Sequence, residues 1–155
     1  MKILKWLSIA DRLAKLYLDR LLAPLGINSS QHMFLIKICQ QPGILQDSLI
    51  DMFYIHPSNI VRSVTALERN GFVSRVPYDK DKRTWQLYPT DKAKAIISEV
   101  QAACEKIEAV LLQEFTEEEA ARFEETLTIA GKQITKELNI RRKENESEAR
   151  KSIRL

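Results

Sequence analysis

The sequence has little glycine and cysteine, with four and two among its 155 residues. There is no glycine-rich loop of the kind that cradles nucleotide phosphates, and no nucleophile has a base at a spacing typical of covalent catalysis. Cys39 and Cys104 lie far apart and neither belongs to a CxxC pair, which disfavours a disulfide framework or a zinc site. The lone His32 is disfavoured as a metal ligand. We therefore expect no enzyme, no metal and no cofactor.

Long apolar runs are also missing, since none approaches the roughly 20 residues of a membrane span. The amino terminus lacks the apolar core and cleavage site of a signal peptide. We expect no membrane partner and a cytoplasmic location. The length suits one domain with a sizeable core, because 45% of the residues are hydrophobic and 29% are charged.

Charge is distributed unevenly along the chain, although the net charge of +3 is too small to identify a nucleic-acid partner by itself. Between His56 and Lys92 there are seven cations and four anions. Residues 114–125 instead carry six glutamates and one arginine. The basic segment is therefore the first place to look for contacts with an anionic partner.

Helical periodicity predicts a first helix over residues 3–22, ended by Pro24 and Gly26. Its apolar stripe is wider than one small neighbour would cover, so it is either a core helix or an element that also meets a second subunit. A second helix follows, capped by Asn28 or Ser29 and ending near Gln41.

Two short helices joined by a tight turn come next, over residues 45–53 and from His56 and Pro57 to Gly71. This arrangement predicts a helix-turn-helix. The second helix has an apolar stripe at Ile60, Val64 and Leu67. Its outer face is predicted to be polar and rich in hydrogen-bond donors, with Ser58, Asn59, Arg62, Ser63 and Arg69.

Residues 72–78 and 84–88 have the composition of two strands, joined by a polar turn at residues 79–82. The tip of this hairpin, DKDKR, has no core to contact. A solvated charged turn is the alternative when the hairpin is considered alone. A helix followed by a hairpin with a basic tip is what a winged helix-turn-helix presents to duplex DNA.

The carboxyl-terminal third is predicted to be helical. Thr90 can cap a helix that reaches Phe115, and its length of roughly 40 Å suggests that part of it packs outside its own domain. Thr116 with Glu119 forms a capping box for a last helix. The charged tail, residues 141–155, either frays or extends that helix into solvent.

In this order and spacing the motifs resemble the MarR family of bacterial transcription regulators, over nearly the full chain. The matching segments are residues 58–62 in the recognition helix, 67–71 at its end, Arg75, residues 81–83 in the wing, and Thr90. The chain departs from the family pattern at Leu45, Ile50, Pro57 and Ala93. These departures affect contacts and local geometry more than the class.

The resemblance implies a mainly α fold with a small β-hairpin wing (α+β), which is a winged helix-turn-helix with N- and C-terminal dimerisation helices. Residues 1–140 are expected to form a single unit. Its parts are dimerisation helices at residues 1–24 and 116–140, a DNA-binding lobe at residues 28–90, and a long connecting helix at residues 90–115.

The resemblance also implies which residues contact double-stranded DNA. In the major groove, Arg62 is the candidate for bidentate contact with guanine. In the minor groove, Arg83 is the candidate, aimed by a hydrogen bond to Asp81. The remaining base or phosphate contacts are expected from His56, Ser58, Asn59, Ser63, Arg75, Lys80 and Lys82.

The expected function is a sequence-specific double-stranded DNA-binding transcription regulator, a ligand- or stress-responsive repressor acting as a homodimer on a palindromic operator. The alternative is a winged-helix module for protein or RNA interaction without operator binding.

Family members respond to a small aromatic effector or to thiol oxidation. Trp6, Tyr17 and Phe34 are candidates for lining an effector cleft, although aromatics at helical spacing are more often core. Cys39 or Cys104 is the candidate oxidant sensor, although both lie on apolar faces.

Overall fold

The computed structural model describes residues 2–138, which contain six α-helices, three strands and a short 3-10 turn at Ala23–Leu25. The helices are α1 (Ile3–Leu22), α2 (His32–Gln40), α3 (Ser48–Phe53), α4 (Pro57–Arg69), α5 (Asp91–Leu112) and α6 (Glu117–Glu137). The strands are β1 (Ile44–Leu45), β2 (Val73–Tyr78) and β3 (Asp81–Pro89). The predicted fold class, mainly α with a small β-hairpin wing, is confirmed. The predicted tail at residues 141–155 lies outside the described residues.

The sheet has three antiparallel strands in the order β1-β3-β2, one more than predicted. Leu45, expected to start a helix, instead pairs with Gln86 in β1. Gly43 makes this possible because it adopts φ 85° and donates its N–H to the carbonyl of Leu87 at 2.8 Å. Strand pairing therefore replaces the first turn of the predicted helix, and α3 begins at Ser48. The hairpin turn is also shorter than predicted, since β3 begins at Asp81.

The segment leading into α2 is held differently from the predicted cap. Asn28 accepts a hydrogen bond from the N–H of Ser30 at 2.9 Å, within the turn and not at the helix. The residue before α2 is Gln31, whose side chain accepts from the N–H of Asn28 at 3.1 Å. Ser29 donates its N–H to Asp19 of α1 at 2.7 Å. Asn28 therefore caps the turn that leads into α2, where its carbonyl also accepts from the N–H of His32 at 3.2 Å, whereas Ser29 does not cap the helix.

The caps predicted for the last two helices are present. Thr90 Oγ1 accepts a hydrogen bond from the N–H of Ala93 at 3.3 Å at the start of α5. Thr116 and Glu119 form a reciprocal capping box, in which each side chain accepts from the other residue's N–H at 3.3 and 2.9 Å. These contacts satisfy N–H groups that a helix leaves unpaired in its first turn.

The core lies where α2, α4 and α5 meet the sheet and the carboxyl-terminal end of α1. Its largest fully buried side chains are Phe34, Phe72, Leu22, Leu35, Ile38, Leu49, Ile60, Leu67, Leu87, Val64 and Val100. Within α1, burial is limited to Leu18 and Leu22, and α6 buries none of its residues. No described helix is long and apolar enough to cross a membrane.

His32 introduces a pH dependence at the junction of α1 and α2. Its Nδ1 lies 2.8 Å from the carbonyl oxygen of Ser29, and burial lowers the pKa of the imidazole below its ordinary value, despite opposing effects from that contact and from Asp19. The unfolded chain therefore binds more protons than the folded chain at pH values between the lowered pKa and about 6.5. Stability falls as the pH is lowered through this window.

We expect the free energy of unfolding to decrease between about pH 7 and pH 5, and the variant His32→Gln to show a smaller decrease. Urea unfolding at a series of pH values measures this. Equal pH dependence in the native and His32→Gln proteins would contradict the assignment.

Candidate nucleic-acid interface

The start of α4 is fixed by the turn that precedes it. Tyr54 follows α3 in the left-handed conformation, with φ 53°, and reverses the chain. His56 then caps α4, because its Nδ1 accepts from the N–H of Ser58 at 3.2 Å and lies 2.7 Å from Ser58 Oγ. Pro57 occupies the first helical position, where a missing N–H costs no helical hydrogen bond. His56 and Ser58, both predicted contact residues, are thus bound to each other in the free chain.

The two faces of α4 differ sharply in burial. The buried stripe consists of Ile60, Ser63, Val64 and Leu67. The exposed stripe consists of Ser58, Asn59, Val61, Arg62, Thr65 and Arg69. The helix therefore presents a continuous outward surface with both polar and apolar groups, centred on Arg62.

Ser63 was predicted to lie on the outer face of the helix and to contact DNA, and the placement on the outer face is wrong. It lies three residues after Ile60 and four before Leu67, so the helical period places it on the inner stripe, where it is 8% exposed. Val61 and Thr65 were missed, although they flank Arg62 on the outward surface. The same helical period was the signal that could have found them.

At the wing tip, Asp81 and Arg83 form the predicted pair. The guanidinium of Arg83 donates from Nε to Asp81 Oδ1 and from Nη2 to Oδ2, each at 3.0 Å. The N–H of Arg83 donates to the same carboxylate at 3.1 Å. These hydrogen bonds hold the pKa of Asp81 below its usual range. The paired guanidinium remains exposed at the tip, with Lys80 and Lys82 exposed beside it.

Arg75 has surroundings that differ from the prediction. Instead of offering a free charge to phosphate, its Nε donates to Glu68 of α4 at 2.8 Å, and a second guanidinium nitrogen contacts the same carboxylate oxygen. Its Cζ lies 5.6 Å from the centroid of the Trp85 ring. The prediction overlooked that Glu68 and Arg75 lie close enough in sequence for the helix and the strand to bring them together.

The aromatics predicted to line one effector cleft lie in separate environments. Phe34 is buried and packs edge-to-face on Phe53, with ring centroids 5.5 Å apart. Tyr17 packs against the core. Trp6 is 62% exposed and lines a groove of about 710 Å³ between α1 and α6, to which Leu111 of α5 also contributes. These three residues therefore do not form the predicted cleft.

A smaller cavity, of about 430 Å³, lies between α2, α3 and α5. Its apolar lining includes Met33, Met52 and Phe53, and His32 and Lys37 add polar groups. Cys104 also lines it, but burial and the charges of Glu108 and Glu105 raise the pKa of its thiol.

The other thiol, Cys39, also has its pKa raised by burial. A raised pKa leaves less of the reactive thiolate at neutral pH, so the surroundings of neither cysteine favour oxidant sensing. Within residues 2–138, no group of three or more His, Cys, Asp or Glu side chains is placed to hold a metal ion.

Comparison with known proteins gives these elements a context. Residues 27–85 match the model of the MarR family. The chain is 28% identical, over 78% of its length and 81% of the relative's, to the uncharacterized HTH-type transcriptional regulator YybA of Bacillus subtilis (strain 168). A MarR transcriptional regulator from Methanosarcina mazei Go1 shares 26% identity at a TM-score of 0.78, over 86% of this chain and 96% of that one. A MarR family regulator from Listeria monocytogenes, solved with 26mer DNA, shares 25% identity at a TM-score of 0.79, over 86% and 89%.

Proposed function

We propose that the chain, whose residues 27–85 match the MarR family model, is a MarR-type transcriptional regulator that binds double-stranded DNA sequence-specifically, as a homodimer on a palindromic operator. The observation that carries the proposal is that one lobe exposes two surfaces suited to contact DNA. These are the outward face of α4 and the Asp81-bound Arg83 at the wing tip. The relative from Listeria monocytogenes was solved with DNA, which supports a nucleic-acid partner.

We assign the outward face of α4 to the major groove, which admits a helix and displays a different pattern for each base pair. Arg62 is suited to bidentate contact with guanine, and Asn59 to contact with adenine. Val61 and Thr65 add methyl groups that can pack on the methyl group of thymine. His56 and Ser58 lie at the amino-terminal end of α4, where the helix dipole favours a phosphate.

Arg83 is assigned to the minor groove, where a narrow A·T-rich segment concentrates negative potential. Its pairing with Asp81 limits the rotamers of a long side chain, so less conformational entropy is lost when it enters the groove. Lys80 and Lys82 supply charge to phosphates, which raises affinity and salt dependence with little sequence preference.

The homodimer is proposed because the ends of the chain expose apolar side chains that the rest of the described structure does not cover. The groove between α1 and α6 is lined by Trp6, Leu7, Phe123 and Leu127, all of them exposed. Contiguous apolar surface of this kind is rare on soluble monomers and marks an interface. A second copy would cover it and hold two recognition helices about 34 Å apart.

The finer proposal is a cytoplasmic repressor that releases its operator when a small aromatic effector binds. The cavity between α2, α3 and α5 supports this role because it combines apolar walls from Met33, Met52 and Phe53 with the polar groups of His32 and Lys37. It touches both the helix-turn-helix and the long helix α5, so an occupant could change how they pack. The proposal gives the chain no catalytic role.

Selection of bound duplexes from a random pool, at fixed salt, tests the proposed function. We expect enrichment of a palindrome whose half-sites are centred about one DNA turn apart. Absence of enrichment over non-specific binding would contradict sequence recognition. Binding to single-stranded RNA or to protein without salt-sensitive binding to duplex DNA would favour the alternative, an interaction module that happens to share the fold.

A further inference from the structure

The hairpin β2–β3 leaves the core before it reaches its tip. Successive side chains of a strand point to opposite faces, so Leu87 and Trp85 share one face of β3, and the pairing of β3 with β2 becomes irregular beyond Trp85. Along β3 the last buried side chain before the tip is Thr84, at 6% exposure, and Arg83 beside it is exposed. No side chain of residues 79–83 is buried, so packing in the core fixes the hairpin as far as Thr84 but not the tip that carries Arg83.

Halfway along the hairpin, one contact joins it to α4. Arg75 in β2 donates two hydrogen bonds to the carboxylate of Glu68, of which the one from Nε measures 2.8 Å. The Cζ of the same guanidinium lies 5.6 Å from the centroid of the Trp85 ring in β3. Arg75 pairs with Leu87 and Trp85 with Pro77, so Arg75 and Trp85 are diagonal neighbours on one face of the hairpin.

The chemistry of the three groups suits a rigid link. A guanidinium is planar, so it can bind a carboxylate along its edge while it stacks on an aromatic ring with its face. The side chain of Arg75 is only 21% exposed, which reduces the screening of its charge by solvent. Because Glu68 neutralises it, Arg75 contributes little free charge to a phosphate.

We propose that Glu68, Arg75 and Trp85 form a brace that fixes the wing relative to the recognition helix. The brace thereby sets the distance between Arg62, assigned to the major groove, and Arg83, assigned to the minor groove. This inference rests on the proposed function and adds positioning residues to it. None of the three has to touch DNA. The brace lets Arg83 bind its groove without first paying the entropy of ordering the hairpin.

The consequence is energetic coupling between Glu68 and Arg83, which do not touch. Substitutions at separated sites normally have independent effects. Here the replacement Arg83→Ala should lower affinity for the selected duplex about 10-fold to 100-fold in the native chain. In chains that carry Glu68→Gln or Trp85→Leu, the same replacement should lower affinity only about threefold, because a loose wing gains less from its tip contact.

The test is a double-mutant cycle measured by fluorescence anisotropy with a labelled duplex. Glu68→Gln and Trp85→Leu break the brace from opposite ends, so the result does not depend on one variant folding. Trp85→Phe keeps a ring under the guanidinium and should restore most of the coupling. Asp91→Asn is the control, since it removes an exposed ion pair with Lys94, 3.6 Å in length, that lies outside the brace.

A second readout separates positioning from phosphate contact. Arg75→Gln should lower affinity without changing the slope of log affinity against log salt, whereas Lys82→Gln should reduce that slope by about one per contact. Equal effects of Arg83→Ala in the native and the brace-broken chains would overturn the brace alone. Absence of duplex binding by the native chain would overturn the proposed function and the brace with it.

Discussion

Replacing Leu127 with Glu will leave the chain monomeric and will lower its affinity for the operator by on the order of 100-fold to 10,000-fold. Leu127 is 48% exposed and lies in the groove between α1 and α6, beside Trp6 and Phe123. In a homodimer this position is covered by the second copy, so a carboxylate there would be buried without a partner. A monomer has one recognition lobe, and it loses the second, intramolecular binding event.

The measurement combines light scattering at micromolar concentration with duplex binding. Gln133→Glu is the matched control, since it adds the same charge to a polar position of the same helix. The control should remain dimeric and bind normally. A native chain that is monomeric at this concentration, or a Leu127→Glu chain that remains dimeric, would show that the groove is not the interface.

Arg62→Ala will have the largest effect of any single substitution on the recognition surface. The side chain is exposed at the centre of the outward face of α4, between Val61 and Thr65. If it binds guanine bidentately, its loss costs about 1 to 3 kcal/mol at each half-site and removes the preference for one base pair there. Two copies act on one palindrome, so the dimer experiences this loss twice.

Competition with duplexes that carry each base pair at each half-site position measures this effect. Arg62→Ala should level the preference at one position and leave the others intact. Lys82→Ala is the comparison, since an exposed phosphate contact should weaken binding to all sequences alike. If Arg62→Ala lowered the affinity for all duplexes equally, Arg62 would be a phosphate contact, and other residues would recognise the bases.

Local chemistry made much of the fold predictable. Thr90, and Thr116 with Glu119, cap their helices as predicted, because a capping contact spans only three residues and depends little on the rest of the chain. The pairing of Asp81 with Arg83 is also local, but it was expected from the resemblance to the MarR family. The capping contacts each lie within one short segment, which is why local sequence was sufficient to predict them.

The differences from the predictions arise mainly where two separate elements meet. Leu45 joins a strand because β3, some 40 residues later, offers it a pairing partner at Gln86. Arg75 is withdrawn from solvent by Glu68 on a different element. The misplacement of Ser63 has another cause, since its small polar side chain concealed a position that the helical period assigns to the core. The polar side chain of Ser63 suggested a surface position, but the helical period places it on the buried stripe.

The central claim is that two copies of the recognition lobe, held at a fixed distance, read two half-sites of one duplex. The most direct test compares binding of the native chain to its selected palindrome and to the same duplex with about five base pairs inserted between the half-sites, which turns one half-site to the opposite side of the DNA. We predict that the insertion reduces binding to that of an isolated half-site. Undiminished affinity for the lengthened duplex would contradict the claim.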